Sequence, residues 1–481
     1  MKRIVIYGPP GTGKTTQLLD MVDADIEAGI EPERIAFVSF TKAAVTEAMS
    51  RAAKKFNISQ KRLRWFRTLH SLAYTALGLS REVVLHDYTE FAEAYGFNFG
   101  KKLDPSEVVY AERQQDDLLL HARSLVAATE WSIERVAKEW ALDLPIGRYH
   151  ALCERLEAWK KEMGQMEYAD MLQDFIDSGA TVDAEVAYVD EAQDLTPVQW
   201  RMVWSAFRNA KRVVVAGDDD QAIYHWAGAD VTRMLGIEGE QRVLAHSYRL
   251  PRAVHRLAHA IAERIATRKH KVWSARDHEG MVGRSVALER LPLDNGETWA
   301  LLSRTSVTVP TFAKCVEQQG LLYRMNGAPN VPENQLVAVK TLRQLRAGAT
   351  VPINAAKRMC SLSSETFRLH GAHARAADFA GAIDDDARML GKLPPARVRY
   401  LARVHDIDSP PRVALGTIHQ SKGTEAENVV LSADMTRATE AALRNPTHSD
   451  HEHRVMYVGA TRARGKLFLL RPDAEYTYKF S

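Results

Sequence analysis

The first fifteen residues restrict the fold more than any other part of the chain. Arg3-Ile4-Val5-Ile6-Tyr7 is a short apolar run that suits a buried strand, and it leads directly into Gly8-Pro9-Pro10-Gly11-Thr12-Gly13-Lys14-Thr15. That octapeptide matches the phosphate-cradling pattern G-x-x-x-x-G-K-[ST] in full, with a helical pattern behind it from Thr15 to Ala28. The glycines let backbone N–H groups close on phosphate oxygens, and the N-terminus of the following helix favours the same negative charge. Strand, loop and helix in this order make the chain an α/β protein with a nucleotide site. Gly11, Thr12, Gly13 and Thr16 line the cradle. Lys14 is placed to reach the β- and γ-phosphates, and the Thr15 hydroxyl to ligate Mg²⁺.

A phosphate loop needs an acidic partner at the end of a neighbouring strand. Val186-Ala187-Tyr188-Val189 supplies the strand, and Asp190-Glu191-Ala192-Gln193-Asp194 follows it. Asp190 is the expected Mg²⁺ ligand, and Glu191 can orient and deprotonate an attacking water. A hydrolase is therefore favoured over a kinase, which needs an acceptor pocket.

A third strand end carries a different chemistry. Arg212-Val213-Val214-Val215-Ala216 runs into Gly217-Asp218-Asp219-Asp220-Gln221-Ala222-Ile223-Tyr224-His225-Trp226. One short loop offers the Gln221 amide to a phosphate and two aromatics, Tyr224 and Trp226, for stacking on bases. The same rings could equally be core anchors.

Further segments fall into one order along the chain: Ser39-Phe40-Thr41-Lys42-Ala43-Ala44, Arg67-Thr68-Leu69-His70-Ser71-Leu72-Ala73 and Tyr168-Ala169-Asp170-Met171-Leu172. After the loop at Gln221 come His246-Ser247-Tyr248-Arg249, Gly416-Thr417-Ile418-His419-Gln420-Ser421-Lys422-Gly423-Thr424-Glu425 and Tyr457-Val458-Gly459-Ala460-Thr461-Arg462-Ala463-Arg464. This series resembles the ordered motifs of superfamily 1 DNA helicases of the UvrD/Rep/PcrA type, in a compact form, from residue 1 to about 470.

The resemblance implies two RecA-like P-loop domains with parallel sheets, each carrying a mainly helical insertion, and ATP with Mg²⁺ as cofactors. It implies residues 1–77 and 165–240 for the first domain, with an accessory insertion at 78–164, and 241–330 and 411–481 for the second, with a reduced insertion at 331–410. Gln221 would sense the γ-phosphate, and Arg249 and Arg462 would reach it from the second domain to stabilise transition-state charge. Tyr248 would stack on adenine and Glu425 would contact the ribose. Phe40, His70, Tyr224, Trp226 and His419 would contact the bases of single-stranded DNA. Thr41, Lys42, Arg304 and Ser421 would contact its backbone. Two departures stand out. The glutamine-bearing segment that reads the adenine edge in the family has no counterpart before the first strand, so strict ATP preference is not expected. Ala227 stands where the family often has Arg.

Composition sets wide bounds. The 481 residues exceed one core, and 46% hydrophobic with 26% charged residues is ordinary for a globular protein. Three scattered cysteines without a CxxC pair argue against a disulfide framework or a zinc or iron–sulfur site. No apolar run spans a bilayer, and the first strand leaves no room for a signal peptide, so a cytoplasmic, nucleoid-associated location is expected. The net charge of +3 is uninformative about partners. Tryptophans 131, 140 and 159 of the first insertion read as its core rather than a binding surface.

The expected function is an ATP-dependent translocase on single-stranded DNA that unwinds duplex at single/double-strand junctions, of 3′→5′ polarity by resemblance. A monomer is the simplest active form, and protein partners stay open. Two other readings stand beside it: a nucleotide-switched clamp on DNA, and an ATPase directed at RNA or protein.

Overall fold

In the computed structural model, residues 1–100 and 115–480 are described; part of the insertion expected at 78–164 therefore lies outside the described residues. The chain divides into two compact units, 1–279 with 437–461 and 480–481, and 280–436 with 462–479.

The first unit is built on a sheet of six parallel strands: β1 (Lys2–Tyr7), β2 (Ile35–Ser39), β3 (Trp65–Arg67), β4 (Val186–Asp190), β5 (Arg212–Gly217) and β6 (Glu240–Val243). Their order is β3-β2-β4-β5-β1-β6. Side chains alternate between faces along each strand. Ile4, Ile6, Phe37, Tyr188 and Val214 form one core with helices Lys14–Glu27 and Lys42–Lys55, while Val5, Tyr7, Val38, Val189 and Val215 face the other, with Trp200 and Met202. Both faces are covered, which is why these strands read as unbroken apolar runs. β4, β5 and β1 are adjacent and parallel, so the three loops singled out in the sequence emerge together at the carboxyl ends of these strands.

The second unit holds β7 (Met281–Val286), β8 (Trp299–Ser303), β9 (Tyr323–Met325) and β10 (Ala328–Pro329), then the short pair β11 (Val351–Pro352) and β12 (His373–Ala374). It continues with β13 (Val413–Thr417), β14 (Ala426–Leu431), β15 (Asp434–Met435), β16 (Ala463–Leu470) and β17 (Tyr476–Thr477). Seven of them form a sheet in the order β10-β9-β13-β8-β14-β16-β7, parallel except for the β9–β10 hairpin. The expected class, α/β with two parallel sheets, is what the structure has.

One strand is placed differently. The sequence puts Arg242–Ala245 in the second domain's sheet, whereas β6 pairs with β1 in the first. The helix Val231–Leu235 ends a few residues upstream, and Gly239 lies so close to β1 that a Cβ there would sit 2.6 Å from the Arg3 carbonyl oxygen. The chain has no length in which to leave the first sheet. β6 is also largely exposed, as suits an edge strand.

Of the insertions, the described part of the first is helical, and Phe91, Leu119, Leu152, Leu156 and Trp159 form its core. Trp140 packs with Leu125 and Val136 in a neighbouring cluster. The second insertion closes its own core around Leu342, Met359, Phe379 and Leu401. Among the described residues, no helix is long and apolar enough to cross a membrane.

Candidate functional site

The phosphate loop has the backbone its sequence demands. Gly11 and Gly13 have φ of 72° and 78°, in the left-handed region that glycine enters without strain. Thr12 Oγ1 donates to the Pro9 carbonyl at 2.7 Å, and Lys14 Nζ donates to the Gly8 carbonyl at 2.9 Å, curling over the loop it belongs to. Thr15 Oγ1 donates to Asp190 Oδ2 at 2.8 Å, so the hydroxyl and the carboxylate expected to share a cation are already adjacent. Asp190 is fully buried, and burial together with the charge of Glu191 pushes its carboxyl up to about 6. A buried carboxylate beside a second acid is the donor set that Mg²⁺ relieves, so the residues present fit that ion.

The strained residue of this site is Glu191, at φ 52° and ψ 38°. A non-glycine residue held there costs on the order of 1–3 kcal/mol and persists where the surroundings enforce it. The side-chain end of Glu191 is held by Gln193, to which the sequence reading gives no role. Its Nε2 donates to Glu191 Oε2 at 2.6 Å, and its Oε1 accepts from the Asp218 backbone N–H at 3.0 Å. One buried amide thus ties the end of β4 to the end of β5.

The carboxylates after β5 form a second feature the sequence hides. Asp218, Asp219 and Asp220 are buried with Lys271, whose Nζ lies 2.9 Å from both Asp218 and Asp220 and also binds Asp219. Arg268 pairs with both oxygens of Asp220, and Arg454 Nε donates to the Asp219 carbonyl at 2.9 Å. Burial would lower Lys271, but the three carboxylates raise it and keep it charged. Gln221 Nε2 donates to Asp218 Oδ2 at 2.7 Å, so the expected phosphate sensor is oriented by this network. A local scan misses it because Lys271 stands about fifty residues downstream, in a segment without pattern.

Arg249 is not where the sequence reading takes it from. It belongs to the first unit, not the second. Ser247 Oγ donates to the Pro10 carbonyl at 2.7 Å and the Tyr248 N–H to the Gly11 carbonyl at 2.8 Å, which lays residues 247–249 along the phosphate loop. The physical reason is β6, which delivers the chain beside β1. Tyr248 is 73% exposed with His246 edge-on at 5.0 Å, leaving a ring face open next to the loop. A Cβ on Gly11 would lie 2.3 Å from the Arg249 Cβ. Gly11→Ala should therefore lower nucleotide affinity about ten-fold or more through backbone strain and displacement of Arg249, read by fluorescent-nucleotide titration with unchanged circular dichroism.

Phe40, Tyr224 and Trp226 come together in the first unit. Phe40 and Tyr224 stack at 5.1 Å between centroids, and Trp226 meets Tyr224 edge-on at 5.9 Å. All three are half-buried, rather than sealed in the core. His70 lies against Tyr168 at 5.5 Å, with burial pushing its imidazole down to about 4. Thr41 Oγ1 caps the helix Lys42–Lys55, and Lys42 is exposed at its start.

In the second unit, β8 and β13 run side by side, and the Ile418 N–H donates to the Ser303 carbonyl at 2.9 Å. That bond gathers Arg304, His419 and Ser421 after the two strands. All three are buried, and burial with the neighbouring Arg304 and Lys422 holds His419 well below the usual histidine range. Ser421 Oγ is committed to the Ile418 carbonyl at 2.7 Å. Arg462 is buried with a 3.3 Å bond to the Thr424 carbonyl, and the following Glu425 pairs with Arg464 at 3.1 Å.

Sequence comparison identifies the family. Residues 1–241 match the profile of the UvrD/REP helicase N-terminal domain, and residues 400–471 that of the UvrD-like helicase C-terminal domain. The chain belongs to the UvrD/Rep helicase family. Among its relatives, the ATP-dependent DNA helicase PcrA of Leuconostoc citreum is 23% identical over 356 residues, covering 69% of this chain and 46% of the relative. The PcrA of Staphylococcus aureus is 23% identical over 360 residues, covering 69% and 47%. That of Bacillus subtilis is 28% identical over 156 residues, covering 31% and 21%. The chain thus spans about half the length of the curated relatives it matches. As a UvrD/Rep family member it has two RecA-like sheets, and the first profile covers β1 to β5 of the first one and ends within β6.

Proposed function

We propose that the chain hydrolyses ATP with Mg²⁺ and couples the hydrolysis to movement along single-stranded DNA, with duplex unwinding as the output and 3′→5′ polarity. The observation that carries the proposal is the segment Gly217–Trp226. Its first half, Asp218 to Gln221, is wired to the phosphate loop's neighbours through Gln193, and its second half carries Tyr224 and Trp226 in an aromatic cluster with Phe40. A change at the nucleotide need travel only five residues to reach a base-stacking surface.

Each residue then has a task. Lys14 and the loop amides bind the phosphates, while Thr15 and Asp190 hold the cation, which neutralises phosphate charge when bound. Glu191 takes the proton of the attacking water. Arg249, already beside the loop, and Arg462 stabilise charge that develops on the transferred phosphoryl group. Tyr248 offers its open face to the base, and Glu425 contacts the sugar. Phe40, His70, Tyr224, Trp226 and His419 meet DNA bases, where stacking is tolerant of sequence. Thr41, Lys42, Arg304 and Ser421 meet the DNA backbone. The insertion at 78–164 acts as an accessory part that contacts duplex or single strand, and that at 331–410 is a reduced counterpart of the insertion that regulates unwinding in UvrD-like enzymes.

Steady-state ATP hydrolysis with and without a single-stranded DNA oligomer, at low salt, tests the proposal. Coupling between the two sites should show as stimulation of about ten-fold or more. Measurable turnover indifferent to DNA would replace this reading with an ATPase directed at RNA or protein. DNA binding without stimulated turnover would leave a nucleotide-switched clamp.

The Asp190 carboxyl gives a pH dependence. Its ordinary value lies near 4, and burial beside Glu191 raises it to about 6, so the proton competes with the cation below that pH. The Mg²⁺ concentration for half-maximal turnover should rise as pH falls from 7 to 5.5 and stay level above 7.5. A level requirement across the whole range would remove Asp190 from the metal site.

A further inference from the structure

The turn that carries Tyr224 and Trp226 also carries His225, to which neither the nucleotide chemistry nor the DNA contacts give a task. The turn His225–Ala227 is closed on itself. The Tyr224 carbonyl accepts from the Ala227 and Ala229 N–H groups at 2.9 and 3.2 Å, and the His225 carbonyl from the Gly228 N–H at 2.8 Å. His225 therefore moves with the two rings that flank it. His451 stacks on it at 3.8 Å between centroids and 8° between planes, and Trp140 of the first insertion at 5.0 Å and 19°. Two near-parallel rings at these distances from a third would overlap if they shared a face, so His225 lies between them. His448, at 6.3 Å and 48°, is too distant and too tilted to stack.

His451 is itself firmly held. It lies in the first turn of the helix Ser449–Ala460, and two of its neighbours anchor that helix. Asp450 accepts from the Ala266 and Thr267 N–H groups at 2.8 Å each. Buried Arg454 donates to the Thr267 carbonyl and, at 2.9 Å, to the Asp219 carbonyl. One helix thus grips both halves of the segment Gly217–Trp226. Arg454 takes the half that ends in Gln221, and His451 takes the half with the stacking rings.

The grip on His225 is aromatic. His225 Nε2 and His451 Nδ1 are shielded from solvent without a hydrogen-bond partner, and Glu139 Oε1 stands 3.6 Å from His225 Nε2, too far for a hydrogen bond. Burial, with His448 and Arg454 nearby, pushes His225 down to about 3, and burial with His225 and Arg454 holds His451 well below the usual range. Both rings are therefore neutral, and they stack without charge repulsion.

We propose that His451 is a positioning residue for the DNA-stacking turn: its ring holds His225, and so sets Tyr224 and Trp226 at a fixed place relative to Asp219. The inference rests on the proposed function, in which those two rings meet DNA bases. Without the His451 ring, His225 keeps a stacking partner on one face only, and the closed turn shifts as a piece. The Tyr224 and Trp226 rings then present a poorer platform to DNA. The network that holds Asp218 to Gln221 through Lys271, Arg268 and Gln193 does not run through His451, so hydrolysis without DNA persists.

The test is steady-state ATP hydrolysis by the full chain, titrated with an oligothymidylate, in the wild type, His451→Gln and His451→Phe. Gln removes the ring and keeps a polar side chain, whereas Phe keeps a ring and removes the nitrogens. In His451→Gln the oligomer concentration for half-maximal stimulation should rise about five-fold or more, with basal turnover and the KM for ATP within about two-fold. His451→Phe should restore the wild-type concentration. Circular dichroism confirms folding, and His451→Leu, apolar and ringless, carries the same comparison if His451→Gln does not fold. An unchanged oligomer requirement in the ringless variant overturns the inference, as does an equal fall in basal turnover or a Phe variant no better than the ringless one. A wild type that DNA does not stimulate overturns the proposed function and this inference with it, whereas a stimulated wild type matched by the ringless variant overturns this inference alone.

Discussion

Glu191→Gln should lower steady-state ATP turnover by about 10²–10⁴-fold, the range for losing a positioned general base, while nucleotide affinity changes little. The substitution keeps the size and the planar end group of the side chain. It removes only the ability to accept a proton. Two contacts make the structure tolerate it: the backbone at φ 52° is held by the turn after β4, and Gln193 supplies the hydrogen bond that fixes the side-chain end. Phosphate release and fluorescent-nucleotide titration on the same preparation separate the two effects. Turnover within a few-fold of wild type would show that another group takes the proton. A parallel loss of binding would show that the substitution had disturbed the loop rather than the chemistry.

The same neighbourhood shows what a sequence exposes and what it conceals. Strand, glycine loop and lysine are contiguous, so Gly8–Thr15 is legible at once, as is the acidic end of β4. Both signals are local because the chemistry uses backbone amides and side chains from one short stretch. Gln193 is visible as a letter, but its role depends on the parallel adjacency of β4 and β5, which no local pattern states. Lys271 is further hidden. It neutralises three aspartates that look, in sequence, like a solvated acidic turn. Removing one partner of such a buried set typically costs about 3–5 kcal/mol, so the network constrains the Gln221 segment as firmly as packing does.

The strand at Glu240–Val243 fails for a related reason. Its residues have β character but not the burial of a central strand, and their partner is fixed by a short connection rather than by their own pattern. Motif order alone assigns it, and with it Arg249, to the second domain. The structure keeps both in the first unit. By contrast, the apolar runs Trp299–Ser303, Val413–Leu415, Asn428–Leu431 and Leu467–Leu470, which read from sequence as strands of the second domain, lie within β8, β13, β14 and β16.

Trp226→Ala separates the two readings that the sequence leaves open for this ring. As a stacking surface, its loss should leave basal ATP turnover within about two-fold and weaken single-stranded DNA binding by the 1–3 kcal/mol typical of one base stack, roughly 5- to 150-fold. Stimulation by DNA and stepping along it should fall with it. As a core anchor, its loss should instead lower the melting temperature and basal turnover together, because the adjoining Asp218–Gln221 segment would lose its support. The geometry favours the first outcome. Trp226 is only half-buried and touches Tyr224 by its edge, while Tyr224 stacks on Phe40 across the start of another loop. The support for Asp218 to Gln221 comes from Lys271, Arg268 and Gln193 rather than from Trp226. A half-buried ring outside that support is the one expected to answer to DNA. Stopped-flow translocation on a labelled oligomer, paired with a thermal melt, decides between them, and unchanged stepping would return Trp226 to a packing role.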